Sequence, residues 1–340
     1  MTAPAPHDTD GTAGTAPGIT LAKALNRALH DEMSHDDRVV VFGEDVGRLG
    51  GVFRVTDGLA ARFGEQRCFD TPVAESAILG MAIGMAMYGL RPVVEMQFDA
   101  FAYPAFEQLA SHLAKMRNRT RGAVTLPVVV RVPYGGGIGG VEHHSDSSEA
   151  YAAHTPGLHV LTPGTVEDAY GMLRAAVRGA DPVVFFEPKR LYWSVADGAL
   201  PAEVEPVGRA VIRRAGTHAT LVAYGPTVPI ALAAAELGAA EGYDLEVVDL
   251  RSLVPFDEQT VHESVRRTGR AIVVHEASGF AGFGAEVVAR ICEECFHYLE
   301  APVRRVTGFD IPYPPPRLER FHLPSVDRVL DAVSSLWRDQ

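Results

Sequence analysis

The sequence predicts an α/β protein of two domains, each a mostly parallel sheet flanked by helices. Short runs that are apolar throughout and rich in β-branched residues recur along the chain, separated by stretches with helical periodicity, the pattern of parallel strands covered on both faces. The alternation lapses once, in the polar, proline-bearing stretch between Trp193 and Ala210, and then restarts. A chain of 340 residues with 47% apolar positions can bury two cores of medium size.

Taken in order, residues 1–18 ("MTAPAPHDTDGTAGTAPG") lack a basic start and an apolar core, so they read as a disordered tail and neither as a signal nor as a transit peptide. Ile19 to Asp36 has helical periodicity, and "RVVVFG" (38–43) is a strand ending on glycine. Further strands are expected at 91–97, 126–133, 159–163 and 182–188, with helices around 75–89, 100–118 and 165–178. This first domain spans 19–193, a linker spans 194–210, and the second domain spans 211–340. The second has about four strands, at 219–225, 245–250, 271–276 and 303–306, and helices over 226–240, 258–268 and 280–297. The longest apolar run, Ala77 to Leu90, is too short and too glycine-rich for a bilayer and reads as a buried helix.

The net charge of −12 offers no clustered cations for phosphate, which excludes a nucleic-acid partner. Three cysteines cannot form a disulfide framework and fit a reducing cytoplasm; the Cys292–Cys295 pair lacks the second ligand pair a zinc site needs.

Ligands of open parallel sheets sit beyond the carboxyl ends of the strands, which directs attention to "GEDVG" (43–47), "DTPVAES" (70–76), "MQFDAF" (96–101), "GGGIGGVEHHSD" (135–146) and "HEASGF" (275–280). Gly135, Gly137 and Gly140 match a dinucleotide fingerprint in letters only, because no helix opens after them and Pro156 and Gly157 break the next segment. Those glycines suit a backbone passing close to a bulky ligand or a neighbouring subunit. His143 and His144, being adjacent, point opposite ways on an extended chain and cannot share a metal; either is a surface hydrogen-bonding group or an imidazole delivered into a cleft. Glu75, with Pro72 suited to a first helical turn, complements a helix dipole or shares a proton with a ligand. Gly80 and Gly84 allow close approach of a second helix, across a dimer axis or onto the sheet.

Taken in order, "GEDVG", "GGVFRVTDGL", "RCFDTPVAES", "VVEMQFDAFAYPAFEQL", "GGGIGGVEHHSDSSEA", "HTPGLHVLTP", "FFEPKRLYW", "VVDLRSLVPFD" and "EECFHYLEAPVRRVTGFDIPYP" resemble the β subunit of the thiamine-diphosphate-dependent decarboxylating component of 2-oxoacid dehydrogenase complexes. "FFEPKRLYW" and "EECFHYLEAPVRRVTGFD" are more similar to branched-chain (2-oxoisovalerate) members than to pyruvate or acetoin dehydrogenases. The resemblance implies a pyrimidine-binding domain followed by a transketolase C-terminal-like domain. It also implies an α subunit in an α2β2 heterotetramer, a lipoyl-bearing acyltransferase, a small 2-oxoacid substrate and no membrane. The chain contains no Gly-Asp-Gly, so the diphosphate and its Mg2+ fall to the α subunit.

The same resemblance implies that Glu75 hydrogen-bonds N1′ of the aminopyrimidine, that Phe101 stacks on that ring, and that Gln97 and Val73 line its wall. His144 is implied in the substrate channel, assisting acyl transfer to the lipoyl arm, with His143 its neighbour. Asp146 and Ser148 stand where the family commonly has Gln and Pro. Relatives hold K+ on mostly main-chain oxygens at positions matching Leu126, Val128, Ala176, Gly179 and Asp181, and Gly179 replaces their Asp. A non-catalytic assembly subunit is the remaining alternative.

Overall fold

A computed structural model of the chain describes residues 18–196, 199–204 and 206–337. The segment read as a tail lies, but for Gly18, outside them.

Apolar strands with alternate faces buried produce the layering. In the Val39–Gly43 strand, Val39 and Val41 enter one apolar cluster while Val40 and Phe42 enter another. Val183 and Phe185 likewise face the first cluster, and Val184 and Phe186 the second. The first cluster is closed by the helices Leu21–His35 and Val166–Arg178, which present Leu21, Leu25, Leu29, Ala169 and Leu173 at helical spacing. Thr20 starts the former by accepting from Lys23 N–H (3.3 Å), and Thr165 starts the latter by accepting from Asp168 N–H (3.2 Å).

The resulting sheet has seven strands, in the order Ser252–Val254, His159–Leu161, Val183–Pro188, Val129–Tyr134, Arg91–Glu95, Val39–Gly43 and Cys68–Asp70. All neighbours run parallel except the Ser252–Val254 edge strand. The second sheet orders Arg304–Gly308, Ala271–Ser278, Ala219–Ala223, Leu245–Asp249 and Val211–Arg214, with only the last antiparallel. It has five strands where four were expected, because the short Val211–Arg214 edge strand has no fully apolar run to mark it.

The two halves do not keep separate cores. The second cluster continues from Val40, Val130 and Phe186 through Tyr224, Val248, Leu253 and Val273, so one apolar layer lies between the sheets. The Ser252–Val254 strand belongs by sequence to the second half and pairs with the first sheet. Ion pairs add to this junction: Asp168 accepts from Arg251 Nη1 (3.0 Å) and from Arg213, which also donates to Asp249 (2.9 Å). No helix among the described residues is long and apolar enough to cross a membrane.

The helix expected over 100–118 is broken into a 3-10 turn at Ala100–Ala105, a π segment at Gln108–Leu113 and an α turn at Met116–Arg119, with Pro104 inside the first. The helix after "DTPVAES" starts at Glu75 and runs to Met87, so Pro72 lies outside it. It is buried on one face only. Ile78, Leu79, Ala82, Ile83 and Ala86 face the core, while Met81, Met87 and Tyr88 are exposed.

Candidate active site at the carboxyl edge of the first sheet

The parallel strands Val39–Gly43, Cys68–Asp70, Arg91–Glu95, Val129–Tyr134 and Val183–Pro188 all end at one edge, and the loops that follow them meet there. A buried ion network fixes their ends. Arg131, with no exposed surface, donates from Nε and Nη2 to Glu187 (2.7 and 2.9 Å) and from Nη1 to Glu95 (2.7 Å), and Tyr192 O–H donates to Glu187 (2.6 Å).

Glu75 is the first residue of its helix, a position where the unpaired backbone N–H groups favour an acid. Among the described residues none hydrogen-bonds its carboxylate. Beside it stands Glu44, which is buried; burial first, then the charges of Glu75 and Asp45, push its carboxyl above the usual range. Glu44 Oε1 is buried without a partner. Gln97 Nε2 donates to Asp45 Oδ2 (3.0 Å) and to the Glu44 carbonyl (3.4 Å), closing this polar group from the neighbouring strand.

One residue further, Phe98 opens an aromatic wall. Its ring meets Phe101 edge-on at 5.4 Å and His144 at 4.4 Å, and Phe101 meets His144 at 5.3 Å. The Glu75 helix packs on the 3-10 turn that carries Phe101. His144 ends a short 3-10 turn, Glu142–His144, and its Nδ1 is buried without a partner. His143 is turned to solvent, its Nε2 3.9 Å from Glu142.

The glycine loop has a physical explanation. Gly136 N–H donates to Glu276, and Gly137 N–H donates to Glu319 Oε1 (2.8 Å). A Cβ at Gly136 would overlap the Tyr313 hydroxyl, and Gly137, at φ +84°, stands against Arg190. A bulky ligand or a neighbouring subunit was expected here, but the close neighbours are the chain's own residues, Glu276, Tyr313 and Glu319 of the second half and Arg190 of the first, and carboxylates take the N–H groups that a dinucleotide loop would offer to phosphate.

The structure therefore brings Gln97, Phe101 and His144 to one edge with the helix of Glu75. Val73 is 81% exposed and joins neither cluster. Leu126, Val128, Ala176, Gly179 and Asp181 lie at the opposite edge, before the strands Val129–Tyr134 and Val183–Pro188. There the guanidinium of Arg91 donates to the carbonyls of Gly179 (2.7 Å), Val177 (2.9 Å) and Arg178 (3.2 Å). The carbonyls of Leu126, Val128 and Ala176 accept backbone N–H groups, and Asp181 pairs with Arg117. Of the five positions, Gly179 thus gives its carbonyl to a guanidinium and Asp181 its carboxylate to Arg117. Glu44, Asp99 and Lys189 were not singled out from the sequence, although "GEDVG", "MQFDAF" and "FFEPKRLYW" contain them, and Ser148 was marked only as standing where the family commonly has Pro.

The family model described as the transketolase pyrimidine-binding domain matches residues 17–194, and that of the transketolase C-terminal domain matches residues 208–329. The chain is 54% identical over 323 residues to the 3-methyl-2-oxobutanoate dehydrogenase subunit beta of Mycobacterium tuberculosis, covering 94% of this chain and 92% of the relative. The chain belongs to the 2-oxoacid dehydrogenase β-subunit family. It is 51% identical to the pyruvate dehydrogenase E1 component subunit beta of Leifsonia xyli (93% and 94% covered) and 46% identical to the 2-oxoisovalerate dehydrogenase subunit beta of Bacillus subtilis (94% and 98%). In fold this β subunit is similar to a split-gene transketolase solved as an inactive beta4 tetramer, with TM-score 0.76 and 24% identity, covering 94% of this chain and 98% of that one. Membership implies thiamine diphosphate as cofactor and an α subunit as partner.

Proposed function

We propose that this β subunit, joined to its α partner in an α2β2 heterotetramer, oxidatively decarboxylates branched-chain 2-oxoacids of the 3-methyl-2-oxobutanoate type and passes the acyl group to the lipoyl arm of an acyltransferase. The observation that carries the reading is the pairing of an unsatisfied acidic group with an aromatic and imidazole wall at one sheet edge, in a chain without Gly-Asp-Gly. The relatives named for branched-chain substrates support the choice of substrate over pyruvate. Residues 19–193 and 211–340 then serve as pyrimidine-binding and transketolase C-terminal-like domains joined by 194–210.

The residues fit an aminopyrimidine, since Glu44 Oε1 and His144 Nδ1 are buried acceptors or donors awaiting partners. Glu75 would hold a proton at N1′, Phe101 would give the ring a flat apolar wall, and Gln97 and Val73 would line it. When bound, thiamine diphosphate supplies the electron sink for loss of CO2. The α subunit would hold its diphosphate and Mg2+. His144 would move a proton at the acyl oxygen while the group leaves for the lipoyl sulfur. Continuity of the exposed face of Met81, Met87 and Tyr88 with the helix that starts at Glu75 supports a partner covering the site.

Purified with its α partner and thiamine diphosphate, the complex is expected to have a higher kcat/KM for 3-methyl-2-oxobutanoate than for pyruvate, read by reduction of an artificial electron acceptor. A clear preference for pyruvate would replace this substrate with that of a pyruvate dehydrogenase. No turnover of either, with the tetramer intact, would favour an assembly role.

A further inference from the structure

The loop from Gly135 to Ser148 carries His144 and is pinned by carboxylates at both ends. Glu276 and Glu319 hold its start through Gly136 and Gly137. At its far end Ser148 gives two hydrogen bonds to Asp99, from its N–H to Oδ2 (2.7 Å) and from its hydroxyl to Oδ1. Asp99 has 0% exposure, and a carboxylate so placed needs both donors and a compensating charge.

A buried cation, Lys189, acts on it from beyond ion-pair distance. It is 1% exposed, its ammonium donates to the Pro133 carbonyl (3.4 Å), and its attraction holds the Asp99 carboxyl down against burial. Burial pushes the Asp99 carboxyl up to about 6 and the Lys189 ammonium down to about 8. The Lys189 ammonium also lies 5.7 Å from the centre of the Phe98 ring, whose edge contact with His144 is 4.4 Å. One cation thus steadies both the carboxylate that ties down the loop and the ring against which the imidazole rests. A buried charged group adds little stability over apolar residues of equal volume, so the place of Asp99 beside the His144 loop is the feature that asks for a role.

We propose that Asp99 is a positioning residue for His144: its two hydrogen bonds to Ser148 fix the loop so that the imidazole stands against Phe98 and Phe101. The proposal rests on the reading that His144 works on the acyl group. It predicts that loosening Asp99 damages acyl transfer through His144 and through nothing else.

The test uses the α–β complex as wild type, Asp99→Asn, His144→Ala and the double variant, with Ser148→Ala as a milder probe. Two quantities are read: amide hydrogen exchange over residues 135–148, and acyl transfer to a lipoylated domain relative to decarboxylation with an artificial acceptor. Asp99→Asn should speed exchange of the position-148 amide by about tenfold or more and slow acyl transfer by about tenfold, the loss expected for one weakened charge-assisted bond. In the His144→Ala background the same change should cost no further rate. Unchanged exchange at position 148 overturns the proposal, and so does a rate loss of equal size with and without His144. If His144→Ala leaves transfer untouched, the reading of His144 falls, and the exchange result still decides whether Asp99 holds the loop. Should Asp99→Asn fail to assemble, Ser148→Ala decides by the same two readouts.

Discussion

Replacing Glu75 with Gln separates two roles that the sequence alone leaves open. An acid at the first position of a helix stabilises it by about 0.3–1 kcal/mol through the helix dipole. Losing that charge would shift the unfolding midpoint by a few degrees and change the rate by less than about fivefold. A carboxylate that holds a proton for the reaction contributes about 10²–10⁴ in rate. At 1.36 kcal/mol for each factor of ten, that is about 3–5 kcal/mol of the barrier. The structure favours the larger figure, because no described residue hydrogen-bonds the Glu75 carboxylate, while its charge raises the pKa of buried Glu44 beside it. Gln keeps the shape and an acceptor for the helix N-terminus, so the tetramer should assemble with a similar melting temperature. The assay is reduction of an artificial acceptor by the reconstituted complex at saturating thiamine diphosphate, with size-exclusion chromatography as the control. A fall of 100-fold or more with the tetramer intact is expected; activity within about fivefold of wild type would refute the reasoning.

Arg131→Met leaves Glu95 and Glu187 buried without their cation, and should destabilise the complex by about 3–5 kcal/mol, read as a marked drop in thermal midpoint. Because Arg91 occupies the carbonyls of Val177, Arg178 and Gly179, activity and melting temperature should be the same in K+ and in Na+, and Arg91→Ala is expected to make them depend on K+. Glu149 is fully buried, and burial raises its carboxyl to about 7. Its folded pKa lies above the unfolded value, so the stability it contributes is present below the unfolded pKa and is lost as pH rises through about 7. Glu149→Gln should therefore flatten the melting temperature across that window and raise it at pH 8, as followed by scanning fluorimetry.

Strands with continuous apolar runs were legible in the sequence because both their faces are buried: Val39–Gly43, Val183–Pro188 and Leu245–Asp249 lie within the expected spans. Most edge strands were not, although Arg304–Gly308, expected at 303–306, was. Cys68–Asp70 and Ser252–Val254 have three residues each, too few for a periodicity, and the second finds its partner only when the two halves pack. The break of the 100–118 segment could have been suspected from Pro104, but no local pattern marks its π turn, which packs against the Glu75 helix. Glu75, Gln97, Phe101 and His144 were named by resemblance, and strand-end logic independently drew attention to their segments. Asp99 and Ser148 meet across 49 residues of sequence, and Gly136 meets Glu276 across 140, so no local pattern announces either contact.

The division of the cofactor between two chains is tested most directly by titrating thiamine diphosphate, with Mg2+, into this β subunit alone, into the α subunit alone, and into their mixture. Tight binding and turnover only in the mixture, lost when Glu75 is changed to Gln or when the α chain's Gly-Asp-Gly is disrupted, is the result expected. Tight binding and decarboxylation by the β subunit alone would contradict the account.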